Sequence, residues 1–177
     1  VCSSDLGDLL PYNIKEAQAN WTKAKEELGK DKIELELISA DSAIAKKTIE
    51  FVQGQLQQNL PGLTIKLKSL PLQNRLDLQT AGNYDLAFGT WTPDYADPIN
   101  FLEFYDSKSG LNTSGYNDSA YDAGLQKVRK DYANEPEKRW NELLSLEKTL
   151  IEKDAGVLPL FQGAIGYLKS DRLQGLQ

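Results

Sequence analysis

The sequence predicts an α/β fold, a central, mostly parallel sheet flanked by helices, and three observations carry that expectation. Two short runs alternate apolar and polar residues, Ile33-Glu34-Leu35-Glu36-Leu37-Ile38 and Leu63-Thr64-Ile65-Lys66-Leu67-Lys68. Segments with helical periodicity stand before, between and after them. The resulting order, α-β-α-β-α-β, leaves each pair of strands joined through a helix, as a parallel sheet requires.

The first helix is expected over residues 13–28. Asn13 is placed to cap it with Glu16 three residues on, and Ile14, Ala17, Trp21, Ala24 and Leu28 fall on one face. Gly29 stands where a left-handed C-terminal cap is needed. After the first strand, Asp41 or Ser42 caps a second helix whose inward face is read as Ile44, Thr48, Phe51, Val52 and Leu56. Pro61-Gly62 stops it. A short helix over residues 72–80 then leads through Gly82-Asn83 into a third strand, residues 84–89. Residues 90–119 are irregular, with one apolar helical turn over 99–105 and a Ser/Gly/Asn-rich loop over 106–117. Two longer helices follow, 119–132 and 136–153, the latter with Pro136 at its first position. Two β-like runs, 157–162 and 164–169, close the chain. No repeat, low-complexity tract or linker divides it, so residues 7–177 read as a single α/β unit and residues 1–6 as a cloning or assembly remnant.

Composition narrows function. The chain has 177 residues, a net charge of −6, no histidine, no methionine and one cysteine. Without histidine it lacks the commonest general base and the commonest transition-metal ligand. Its acidic balance, without a basic stripe, argues against nucleic acid. Neither phosphate-binding glycine motif occurs, and no G-x-S-x-G nucleophile turn. The reading is therefore a binding protein rather than an enzyme, with no cofactor and no metal.

Candidate ligand contacts concentrate just past the third strand, where open α/β sheets place their ligands. Asp94 and Asp97 admit a glycosidase reading, which needs two carboxyl groups opposed across a sugar. Asp97, immediately before Pro98, is also a natural helix cap, whereas Asp94 has no structural task and suits an ammonium group. Calcium through Asp94, Asp97 and Asp106 is disfavoured because the twelve-residue loop pattern is absent. Trp21 and Trp140 lie at helical spacing and are expected in the core. Trp91, between Thr90 and Thr92, is placed to floor a cleft.

The run Asn83-Tyr84-Asp85-Leu86-Ala87-Phe88-Gly89-Thr90-Trp91-Thr92-Pro93-Asp94-Tyr95-Ala96-Asp97-Pro98, with Phe101-Leu102 after it, resembles a motif of bacterial oligopeptide-binding proteins, the family 5 substrate-binding components of peptide ABC importers. Tyr12-Asn13 with Ala17, Gly110-Leu111-Asn112 with Tyr116-Asn117 and Tyr121-Asp122, and Leu158-Pro159-Leu160-Phe161 extend the likeness along the chain. The resemblance implies a type II periplasmic-binding-protein-like lobe, the C-terminal half of a two-lobe clamp and a fragment of a longer protein. It implies that Gly89, Thr90, Trp91 and Thr92 make backbone contacts with an extended peptide, that Asp94 holds its α-ammonium, and that Tyr95 borders the ligand. An ABC permease is the implied partner and a monomer the implied state. The implied location is extracytoplasmic: periplasmic, or lipid-anchored at a Gram-positive surface, where Cys2-Ser3-Ser4 resembles a mature lipoprotein end. The same clamp serving an oligosaccharide or a peptide pheromone stays open. Some family members carry a carboxylate-reading arginine three positions before the tryptophan; here that position is Phe88.

Overall fold

A computed structural model describes residues 10–163, 170 and 172. Helix α1 (Ile14–Leu28) starts as expected: the Asn13 side chain accepts from the Glu16 N–H, and Gly29 closes the helix in the left-handed region at φ 61°. No residue of α1 is fully buried, and Leu28, read as inward, is exposed. The helix rests on the domain through Trp21, which packs part-buried against the sheet cluster while its indole N–H donates to the Pro61 carbonyl at 2.9 Å.

Strand β1 (Ile33–Ala40) and strand β2 (Leu63–Leu70) pair in parallel over their full length, Ile33 opposite Leu63 through Ala40 opposite Leu70. The alternation has a direct cause. Leu37, Leu63 and Ile65 turn one face into the core, joined by Leu35 and Leu67. On the other face Glu34 pairs with Lys66 and Glu36 with Lys68 at 2.9 Å. These exposed pairs suit a solvated surface and add little stability.

Helix α2 (Ala43–Asn59) is capped by Ser42, whose side chain accepts from the Ala45 N–H. Its core-facing stripe is Ala45, Ile49, Val52 and Leu56. Ile44 and Phe51, expected inward, are 71% and 68% exposed. Both stripes have helical spacing; the sheet contact selects the one whose small Ala45 admits close approach. Gln57 and Gln53 fasten the helix to β2, the first accepting from the Ile65 N–H and the second donating to the Ile65 carbonyl.

Helix α3 (Leu72–Thr80) begins one residue after β2 and therefore lies with its first turn at the carboxyl edge of the sheet. Strand β3 (Leu86–Ala87) is shorter than the six residues predicted. It pairs with β1, Leu37 opposite Leu86, giving the all-parallel order β2-β1-β3. Asp85 explains its late start, because its carboxylate takes the Glu36 N–H that the ladder would otherwise use.

The second half is helical. Helix α4 (Ile99–Leu102) runs into a 3₁₀ turn, Glu103–Tyr105. Helix α5 (Ser119–Gln126), capped by Asp118, passes into a π-turn at Lys127–Asp131. Helix α6 (Pro136–Lys148), with Pro136 in its first turn, does the same at Thr149–Lys153. Ile99, Leu102, Tyr121, Leu125, Val128, Leu143, Leu146 and Leu150 form their core, with Trp140 part-buried beside them. The buried Tyr121 hydroxyl donates to the Leu102 carbonyl at 2.9 Å, tying α5 to α4. Residues 157–162, expected as β-like, form no strand, and the run at 164–169 lies outside the described residues.

Candidate ligand-binding site

Six residues named from the sequence, Gly89, Thr90, Trp91, Thr92, Asp94 and Tyr95, form one exposed segment leaving the carboxyl end of β3. The Phe88 N–H still donates to the Ile38 carbonyl at 2.9 Å, and there the ladder stops. From Gly89 to Thr92 no backbone N–H bonds to any described residue. Phe88 itself is turned away from this segment. Its ring packs with Leu86 against the sheet core, two residues apart on one face.

Asn100, which the sequence reading passed over, organises the segment. It is 4% exposed, and its Oδ1 accepts from the Trp91 indole N–H at 3.0 Å and from the Asp94 N–H at 3.2 Å. One buried carbonyl oxygen thus fixes both the tryptophan and the backbone carrying the carboxylate. Trp91 also meets Phe104 edge-on, ring centroids 4.3 Å apart, and stays 40% exposed. The signal was a lone amide inside the apolar run Ile99-Asn100-Phe101-Leu102, where a buried polar group must find partners.

The two aspartates separate as the sequence suggested. Asp97 accepts from the Ile99 N–H at 3.0 Å and receives Arg139 Nη2 on both oxygens, at 2.8 and 3.0 Å. It holds the start of α4 and docks α6 upon it. That role engages one member of the Asp94–Asp97 pair on which the glycosidase reading rests. The Asp94 carboxylate is exposed and takes no hydrogen bond or ion pair among the described residues. Tyr95 is exposed, and its hydroxyl donates to Glu103 Oε1 at 2.6 Å. That bond to a carboxylate raises the phenol above its ordinary value. Asp106, named with Asp94 and Asp97 in the disfavoured calcium reading, meets Arg129 Nη1 at 2.8 Å, and this bond holds its carboxyl below the usual range.

Beside Tyr95 lies an open depression of about 760 Å³ lined in part by Asp97, Glu103, Arg129 and Arg139. Those charges are spent on one another, Arg129 on Glu103 and Asp106, Arg139 on Asp97. No group of three potential metal ligands occurs among the described residues. No helix among them is long and apolar enough to cross a membrane.

A parallel sheet flanked by helices, β2-β1-β3, gives this chain a type II periplasmic-binding-protein-like fold. The chain belongs to the bacterial extracellular solute-binding proteins, family 5, whose profile matches residues 3–113. It is 38% identical over 112 residues to a dipeptide-binding protein of Lactococcus lactis subsp. cremoris, covering 63% of this chain and 20% of that one. It is 28% identical over 171 residues to the dipeptide-binding protein DppE of Bacillus subtilis, covering 96% and 31%. Among solved structures it is similar to the substrate-binding domain of an oligopeptide ABC transporter from Bacillus anthracis. There the TM-score is 0.83 at 37% identity, over 87% of this chain and 30% of the other. The pheromone receptor PrgZ matches with a TM-score of 0.73 at 36% identity, over 83% and 28%. The chain thus spans roughly a fifth to a third of the length of the curated relatives it matches. Family members are solute-binding proteins, periplasmic or surface-associated.

Proposed function

We propose that this chain is one lobe of a two-lobe receptor that holds oligopeptides in extended form for delivery to an ABC permease. The observation that carries the reading is the unpaired backbone of residues 89–92 running straight into the unpartnered Asp94 carboxylate. Backbone groups that continue a sheet edge accept any peptide main chain, which gives affinity without demanding a sequence. A carboxylate at the end of that edge fixes register by a charge-assisted bond to the peptide α-ammonium. Gly89, Thr90, Trp91 and Thr92 supply the main-chain contacts, Trp91 and Tyr95 the apolar wall, and Asp94 the anchor. The protein binds without catalysing: its second aspartate is committed to Arg139 and it has no histidine. In full length it works as a monomer outside the cytoplasm, anchored by lipid on a Gram-positive surface or free in a periplasm.

Titration calorimetry of the full-length protein carrying this chain, with peptides bearing free or acetylated N-termini, tests the reading. Acetylation is expected to weaken binding by about tenfold or more, and Asp94→Asn to erase that difference. Equal affinity for both peptides would remove Asp94 from the site. The likeness to PrgZ favours one second reading, capture of a signalling peptide by the same segment. Nanomolar preference for a single hydrophobic peptide over a mixed library would select it.

A further inference from the structure

Arg75, in the first turn of α3, is a buried cation without an anion among the described residues. It is 9% exposed, yet no described carboxylate lies within ion-pair distance. Its Nη1 donates to the Phe88 carbonyl at 3.2 Å, and its Nε is buried with no partner. The acids nearest in sequence are engaged elsewhere, Asp77 with Gln73 and Asp85 with the Glu36 N–H. Burial lowers the guanidinium below its ordinary value, the mark of a charge whose solvation has not been replaced. By contrast Arg129 and Arg139 each grip carboxylates.

The place of this cation matters. Helix α3 begins at the carboxyl edge of the sheet, and the guanidinium reaches across to the last paired residue of the ladder. A Cβ built on Gly89 would stand 2.9 Å from Nη1. Glycine at that position is what lets the guanidinium lie against the strand, and residue 89 itself is exposed. A planar guanidinium with one of its five N–H groups spent on a neutral carbonyl suits a carboxylate.

We propose that Arg75, approached past Gly89, receives a carboxylate of the bound ligand. This rests on the peptide-binding reading and deepens it: the ligand is anchored at two charges, its ammonium at Asp94 and a carboxylate at Arg75. It also supplies the anion recognition that Phe88, turned into the core, does not give. The carboxylate is either the peptide C-terminus or an acidic side chain, and the two sources separate by chemistry.

The test is calorimetry on the full-length protein with four peptides of one sequence: free acid, C-terminal amide, an internal Glu, and the same position as Gln. In the wild type either amidation or Glu-to-Gln exchange is expected to weaken binding by about tenfold or more, and whichever does so names the source. In Arg75→Gln that ratio should fall to about one, whereas the penalty for N-acetylation should persist. Arg75→Lys, which keeps the charge without the fork, should retain part of the ratio, with circular dichroism confirming the fold of both variants. No penalty from either exchange in the wild type would overturn the proposal without any variant. So would a penalty that survives undiminished in a folded Arg75→Gln, since the carboxylate would then be read elsewhere. If acetylation matters and the carboxylate does not, only Arg75 fails. If no peptide binds a folded full-length protein, the peptide-binding reading fails with it.

Discussion

Truncating Asn100 to alanine isolates what holds residues 91–94 in place. Its Oδ1 serves two donors, the Trp91 indole at 3.0 Å and the Asp94 amide at 3.2 Å. Each such bond contributes about 0.5–1.5 kcal/mol net, and both donors lie near solvent, which can partly replace the lost acceptor. The expected loss is therefore about 2 kcal/mol, a large share of the roughly 5–15 kcal/mol that stabilises a domain. A double-mutant cycle with Trp91→Phe separates the indole bond from the rest, because phenylalanine keeps an apolar ring without the N–H. Urea titrations followed by far-UV circular dichroism give the four free energies without relying on the fluorophore being changed. The coupling should be about 1 kcal/mol, with Asn100→Ala costing less once the indole is gone. Additivity within about 0.3 kcal/mol would show that Asn100 does not hold Trp91, and the organisation argued for the site would fall.

Gly62 sits at φ 87°, and a Cβ there would meet the Asp31 carbonyl oxygen at 2.3 Å; Gly62→Ala should cost more than about 2 kcal/mol in urea titration, through backbone strain and a clash that cannot rotate away. Gly124→Ala gains about 1 kcal/mol of helix propensity but drives its Cβ to 2.7 Å from Leu146 Cδ2, so the overpacking cost of about 1–3 kcal/mol should win and lower the thermal midpoint. Glu147 is buried, and burial raises its carboxyl above 4.5. The folded state thus holds that proton more tightly, and its contribution fades as pH rises from about 4.5; Glu147→Gln should gain on the wild type as pH rises and match it in acid. Asp106 has the opposite sign, because its bond to Arg129 lowers the carboxyl below 3.8: its contribution is present above that value and lost as pH falls, so Asp106→Asn should flatten the acid limb of the stability profile.

Local chemistry made much of the fold legible. Asn13 and Gly29 bound α1 as their side chain and its absence require, and the charge alternation of β1 and β2 reports a sheet with one wet face. What stayed hidden depended on partners distant in sequence. In α2 the stripes Ile44–Phe51 and Ala45–Ile49–Val52–Leu56 both obey the helical period, and only the docked sheet decides between them. The length of β3 was unreadable because it turns on Asp85 taking a backbone donor of β1, 49 residues away in sequence. At the site, the exposed residues announced themselves through their types, while their supports did not. Asn100 and Arg75 are polar residues set in apolar surroundings, and their contacts become visible only when the Trp91 indole and the Phe88 carbonyl are brought alongside.

The end of pairing at Phe88 sets a boundary in time as well as in space. β1 pairs with β2 along its full length, and the amides in that ladder open only when the sheet opens, so their hydrogen exchange should report global unfolding. Residues 89–92 donate to no acceptor among the described residues and should exchange at rates near those of an unstructured chain, even while the sheet is intact. A peptide that pairs with them would supply the missing acceptors. Binding would then appear as protection confined to four amides, a footprint small enough to map the bound main chain residue by residue.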